Sequence, residues 1–177
     1  RNARADVDGG FVWAPADGES VFVGDVLATI ETSDLRRSVP GVLERFWDMF
    51  VVDAFIKNPG RSNGNWGVLM DASFSYELAP VYDLGSSLFG KRGDSLARRR
   101  MLDESDIDQA AFGTNVSCYR LPSGDGRGAS IPPFPYLAPT VNPAPNAAIT
   151  RFMGSVDIAR IDAPLNPVPA EASGRHN

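Results

Sequence analysis

The sequence predicts an α+β chain, mostly helical, organised around one buried helix, one irregular loop and one β-hairpin. Three observations carry this. Apolar residues recur at three- and four-residue steps between 38 and 57. The stretch NPGRSNGNWG, 58–67, then breaks the helical pattern with proline, glycines and asparagines. Beyond it, the apolar runs WGVLM and FSYELAPVYDLG flank DAS, as the two arms of a hairpin do.

Taken in order, residues 1–37 read as an irregular lead-in. Its short apolar pieces FVW and VFV are broken by Gly and Pro, and a short helix is expected from about Asp25 to Glu31. The main unit spans 38–165. Ser38 and Pro40 are start signals for its long helix, since serine caps and proline suits a first turn. Leu43, Phe46, Trp47, Phe50, Val51, Ala54 and Phe55 form the helical period, and Val42, Met49, Val52 and Ile56 widen it, so burial is expected on most sides. Pro59 and Gly60 end the helix. DESDIDQAAF reads as helical and TNVSCYRL as a strand or helix edge. The proline-dense stretch 122–145 reads as loop. NAAITRFMGSVDIARIDAPL reads as two short helices, with Asp157 or Ser155 capping the second. Residues 166–177 are expected to be a disordered tail.

Composition narrows the chemistry. With 177 residues, 43% hydrophobic and 22% charged, the chain is globular and large enough to bury a core. The net charge of -5 argues against nucleic acid as the main partner, because phosphate binding needs clustered Lys and Arg. The basic run LARRR is nearly cancelled by the MLDESDID that follows it, and reads as a solvated helix face. The single cysteine, Cys118, excludes an internal disulfide and a cysteine-based metal site, and fits a reducing compartment. The single histidine, His176, lies next to the C-terminus, which removes histidine triads and zinc clusters. Acid–base chemistry is left to carboxylates. No apolar run reaches membrane-spanning length and no signal peptide is visible. The chain opens at Arg1 rather than methionine, as a piece of a longer protein would.

The candidate site follows from the hairpin. Asn65 ends the loop and Asp83 follows eighteen residues later, past both strands. A hairpin returns its end to the neighbourhood of its start, so an amide oxygen and a carboxylate can meet there. Such a pair suits Mg²⁺ carrying nucleotide phosphates. Protein kinases use such a pairing, and they also need a carboxylate a few residues before the asparagine, to orient the attacking hydroxyl.

The residues WDMFVVDAFIKNPGRSNGNWGVLMD…YELAPVYDLGSSLF resemble the C-lobe of HipA-like serine/threonine kinases. That family carries a phrase such as FDxLIGNxDRHxxNWG, then a hairpin, then LAPxYDxG. Asn58, Arg61, Asn65, Trp66 and Gly67 match the first phrase. Leu78, Ala79, Pro80, Tyr82, Asp83 and Gly85 match the second. The resemblance covers roughly 25–165, with its core at 47–89. It implies a kinase-like C-lobe with a buried helix, a catalytic-type loop and a hairpin, in which Asn65 and Asp83 hold Mg²⁺ on ATP. It further implies a bacterial cytoplasmic protein with a protein substrate or an antitoxin-like partner.

Two departures qualify that. Gly60 stands where the family carries its catalytic Asp, five residues before Asn65, and Ser62 stands where the family commonly has His. Loss of a positioned base removes on the order of 10²- to 10⁴-fold in rate. No segment resembles the N-lobe, with its phosphate-covering loop and lysine, and DVDGG is not a phosphate loop. The expectation is therefore a HipA-like kinase domain, weak or inactive as it stands. The alternatives are a pseudokinase that docks a partner, or a fragment awaiting an N-lobe.

Several residues also have plainer readings. Asn65 could cap a strand, and Asp83 could form an Asx-turn before Gly85. Arg61 is open between a salt-bridge donor and a phosphate contact. Trp66 reads as packing rather than base stacking, and Cys118 as a small core residue without an activating histidine. Asp53, inside the apolar helix, is expected to bond the loop's backbone amides.

Overall fold

The computed structural model describes residues 4–5, 11–12, 22–32, 39–88, 105, 108–113 and 115–162. In chain order it contains β1 (Arg4–Ala5), β2 (Phe11–Val12), α1 (Val23–Thr32), α2 (Val42–Phe55), β3 (Val68–Met70), β4 (Tyr76–Leu78), β5 (Arg120–Leu121), β6 (Ala129–Ser130), α3 (Pro133–Leu137), α4 (Asn146–Ser155) and α5 (Ile158–Asp162). The strands form three antiparallel two-stranded ribbons: β1–β2, β3–β4 and β5–β6. The disordered tail expected at 166–177 lies outside the described residues.

α2 is the centre of the molecule. It starts at Val42, later than the Ser38 and Pro40 signals suggest. Gly41 adopts a left-handed backbone, φ 83°, which cannot continue a helix, so Pro40 and Gly41 form a turn ahead of it. Ser38 lies outside the described residues. Val42, Phe46, Trp47, Met49, Phe50, Val51 and Ala54 are buried, as the wide apolar pattern requires. Val52 and Phe55 are exceptions to the expected burial: both are exposed, Phe55 with its ring 5.0 Å edge-on to Phe152 of α4. Around α2 the aromatic rings interlock. Phe46 meets Trp47 at 5.1 Å and Tyr119 at 5.3 Å, both edge-on, and Phe50 stacks on Tyr119 at 6.0 Å. Burying each such ring contributes about 1.5–3 kcal/mol.

α1 adds Val23, Val26 and Ile30 to this core, one face of a helix at three- and four-residue spacing. α4 packs across α2 through Ala148 and Phe152, and Arg151 reaches Asp48 at 2.7 Å on the surface. Asp157 caps α5 as expected, its carboxylate accepting the Arg160 N–H at 3.3 Å.

The proline-dense stretch corrects the loop expectation. It holds β6, which pairs with β5 of the preceding TNVSCYRL in the register Arg120 to Ser130 and Leu121 to Ala129, and then α3. Proline tolerates α3 because it sits in the first helical turn, where an N–H would lack a partner anyway. Leu137 of α3 closes the core from that side. Of the helix expected in DESDIDQAAF, the described part is a π-helical turn, Gln109–Gly113, with Ser105 and Asp108 also helical.

Candidate active site

The site begins where α2 stops. Lys57 takes a left-handed backbone, φ 50°, and the Asn58 N–H turns back to the Asp53 carbonyl at 2.9 Å. This closes the helix end in the Schellman manner, and Pro59 prevents continuation. The Lys57 ammonium donates to the Ala110 carbonyl, which anchors the turn to the π-helical segment.

Inside the loop, Arg61 is 2% exposed and Asp53 9%. The guanidinium grips the carboxylate with Nε to Oδ2 at 2.7 Å and Nη2 to Oδ1 at 2.9 Å. The Asn58 amide donates to the same Oδ1 at 2.9 Å. The Asp53 carboxylate is thus held by two loop side chains rather than by the backbone amides expected for it, because the guanidinium supplies a matched bidentate fork that single amides cannot. Burial pulls the Arg61 pKa down, but the hydrogen bond and charge of Asp53 outweigh it and the net shift is upward.

Arg61 has a second task. Its Nη1 donates to the Asn65 carbonyl at 3.2 Å and to the Tyr82 carbonyl at 2.6 Å. Asn65 precedes β3 and Tyr82 follows β4, so one buried cation ties together the two ends of the hairpin. Of the two readings open for Arg61, the geometry assigns it to the buried ion pair. Four of its N–H bonds are spent within the protein, which leaves no accessible face for a phosphate.

The hairpin keeps the register Val68 to Leu78, Leu69 to Glu77 and Met70 to Tyr76. Asp71 closes its tip, accepting from the Ser73 hydroxyl at 2.6 Å and from the Ser73 and Ser75 N–H groups at 2.8 and 2.9 Å. The Ser73 hydroxyl, then the Ser75 amide, hold the Asp71 carboxyl below the usual carboxylate range. The Tyr82 hydroxyl donates to the Gly64 carbonyl at the other end.

These constraints bring Asn65 and Asp83 together: the Asn65 Nδ2 donates to the Asp83 Oδ2. Asn65 is 8% exposed, while Asp83 is exposed and has a left-handed backbone, φ 58°, a conformation aspartate tolerates better than most residues. Ser62 prepares Asn65. It caps the 3₁₀ turn Asn63–Asn65 as a capping box, with the Ser62 N–H donating to Asn65 Oδ1 at 3.0 Å and the Ser62 hydroxyl to the same oxygen. Gly60 lies at the surface, its N–H bonded to Asn58 Oδ1 at 3.2 Å. Trp66 is 1% exposed, 6.1 Å from the Phe46 ring, and is a packing residue. Cys118 packs against the core, and burial pushes its thiol from 9.0 up to about 12, consistent with an inert side chain.

Among the described residues no group of three or more His, Cys, Asp or Glu could hold a metal. Asn65 and Asp83 alone offer one amide oxygen and one carboxylate. That donor set suits Mg²⁺, which takes one or two carboxylates and completes its shell with water and phosphate oxygens. The bond from Arg61 to the Tyr82 carbonyl leaves no trace in local sequence pattern, because those residues meet only after the hairpin folds, while the clamp of Asn58 and Arg61 on Asp53 joins residues five and eight apart around the helix end.

No protein-family model matches the chain. It is 31% identical over 157 residues to the serine/threonine-protein kinase CtkA of Helicobacter pylori, an alignment spanning 86% of this chain and 46% of that protein. The crystal structure of that organism's proinflammatory kinase CtkA matches with a TM-score of 0.71 at 24% identity, over 88% of this chain and 55% of that one. No helix among the described residues is long and apolar enough to cross a membrane. The chain spans about half the length of the curated relative it matches, and over that span it is homologous to a serine/threonine kinase and shares that kinase's fold.

Proposed function

We propose that the chain is the C-lobe of a HipA-like serine/threonine kinase, with Asn65 and Asp83 as the positions that hold Mg²⁺ on ATP. The observation that supports this is the direct contact between the Asn65 amide and the Asp83 carboxylate, eighteen residues apart. When bound, the metal would neutralise charge on the transferring phosphoryl group. The chain's own residues bind and orient: Ser62 fixes the Asn65 rotamer, and Arg61 fixes the distance between the two ligand-bearing segments. The Asn65 oxygen accepts from Ser62 and its NH₂ faces Asp83, so holding the metal would require that oxygen to give up Ser62 and turn toward Asp83.

Gly60 has no side chain to orient a hydroxyl, so phosphoryl transfer by this chain is weak or absent. Its substrate class, by the same reading, is a serine or threonine of a protein, and an N-lobe completes the nucleotide site. Gly60 also favours a second reading, a pseudokinase that keeps the nucleotide site and works by docking a partner such as an antitoxin-like protein.

Calorimetric titration with ATP, with and without Mg²⁺, tests the proposal. The expected result is Mg²⁺-dependent binding that disappears in Asp83→Ala. Binding indifferent to Asp83, or none at any Mg²⁺ concentration, overturns the nucleotide site.

A further inference from the structure

We infer that Ser86 fills the place of the missing base, so that a carboxylate can return to position 60 only when Ser86 is cut back to glycine. This rests on reading position 60 as the base position. The backbone at Gly60 is outside the left-handed region, so conformation does not demand glycine there. Space does. A Cβ on residue 60 would stand 2.5 Å from the Ser86 Oγ, 2.7 Å from the Ser86 Cβ and 3.5 Å from Asn58 Oδ1. Rotating the hydroxyl removes only the first conflict. The second involves an atom fixed to the Ser86 backbone.

Neither backbone can retreat cheaply. On the Ser86 side, the Ser87 N–H bonds the Leu84 carbonyl at 3.0 Å, and the Leu88 N–H bonds the Ile56 carbonyl at 2.9 Å at the end of α2. On the Gly60 side, Asn58 is held by Asp53 and accepts the Gly60 N–H, and Arg61 is locked in its ion pair. The two segments are thus pinned to the same helix end and face each other at contact distance. Gly60 and Ser86 form one steric unit, in which the Ser86 side chain takes the volume that any side chain at 60 would need.

A double-mutant cycle in melting temperature, run on the 177-residue chain without nucleotide, tests the pair. Gly60→Ala is expected to lower Tm by roughly 4–10 °C through overpacking. Ser86→Gly alone should cost about 3 °C at most. The double variant Gly60→Ala/Ser86→Gly should recover most of the alanine loss, and Gly60→Ala/Ser86→Ala should not, since the second Cβ remains. Gly60→Asp is expected to follow the same pattern with a larger loss, and the alanine cycle carries the test if that variant does not fold. Additive shifts, or an unchanged Tm in Gly60→Ala, overturn the inference. Because the cycle is read without nucleotide, a failed Mg²⁺–ATP titration would count against the proposed site and leave the pairing of Gly60 with Ser86 standing.

Discussion

The loop after α2 has a closed flank and an open one, built from the same kinds of residue. On the closed flank, Asp53, Asn58 and Arg61 are buried and bond one another. On the open flank, Ser62, Asn65 and Asp83 make contacts of the same type, but Asp83 faces solvent. A second contrast isolates the cause. The ion pairs Arg61–Asp53 and Arg151–Asp48 share a separation of 2.7 Å, yet the side chains are 1% and 11% exposed in the first and 48% and 43% in the second. Distance is therefore not what separates scaffold from working edge; burial is. In a buried pair each partner depends on the other to offset lost hydration, whereas an exposed pair is rehydrated when broken.

The comparison can be broken most forcefully at Asp53. Asp53→Ala leaves the Arg61 charge buried and unpaired, and is expected to cost about 3–5 kcal/mol, a Tm loss on the order of 10 °C in thermal denaturation. A loss no larger than that of a surface variant would show the cluster to be hydrated after all. Alkaline pH probes the same flank through Cys118. Burial first, and then the charge of Asp53, raise its thiol to about 12, with Arg61 partly opposing. The folded state thus binds its proton more tightly than the unfolded chain. That contribution is present below about pH 9 and is lost as pH rises from about 9 toward 12. Wild type should lose more stability than Cys118→Ala across that window, and parallel pH profiles would sink the expectation.

Smaller effects belong to the open flank and the surface. Ser62→Ala removes the cap on the 3₁₀ turn and is expected to cost about 1 kcal/mol by urea denaturation, while weakening Mg²⁺–ATP binding through a mobile Asn65. Arg151→Ala should change stability by no more than about 0.2–1 kcal/mol, because both partners are solvated. Asp83→Ala sharpens the contrast furthest: stability within about 0.5 kcal/mol of wild type, with the Mg²⁺-dependent heat of ATP binding gone.

Much of this was legible in the residues. The period of Leu43, Phe46, Trp47 and Phe50 announced α2, and the two apolar runs around DAS announced β3–β4, because both signals are local and repeat along the chain. The meeting of Asn65 and Asp83 followed from the return of a hairpin. Other features were not legible. The start of α2 moved to Val42 because Gly41 chose a left-handed backbone, and a helix formed among prolines at Pro133–Leu137 because their positions in its first turn suit them. Arg61 stayed open between two roles, since nothing nearby in sequence says whether a guanidinium faces solvent or a buried carboxylate.

Local pattern was enough to define the helix, the loop and the ribbon, and to nominate the amide and the carboxylate that close on each other. Periodicity and turn chemistry act over a few residues, so they can be read along a line. Folding settled the rest: that Arg61 is a buried tie rather than a phosphate contact, that Asp53 is its counter-charge, and that Ser86 stands against Gly60. Each of those depends on which surfaces lose their water when distant segments pack, and no single stretch of chain contains that information.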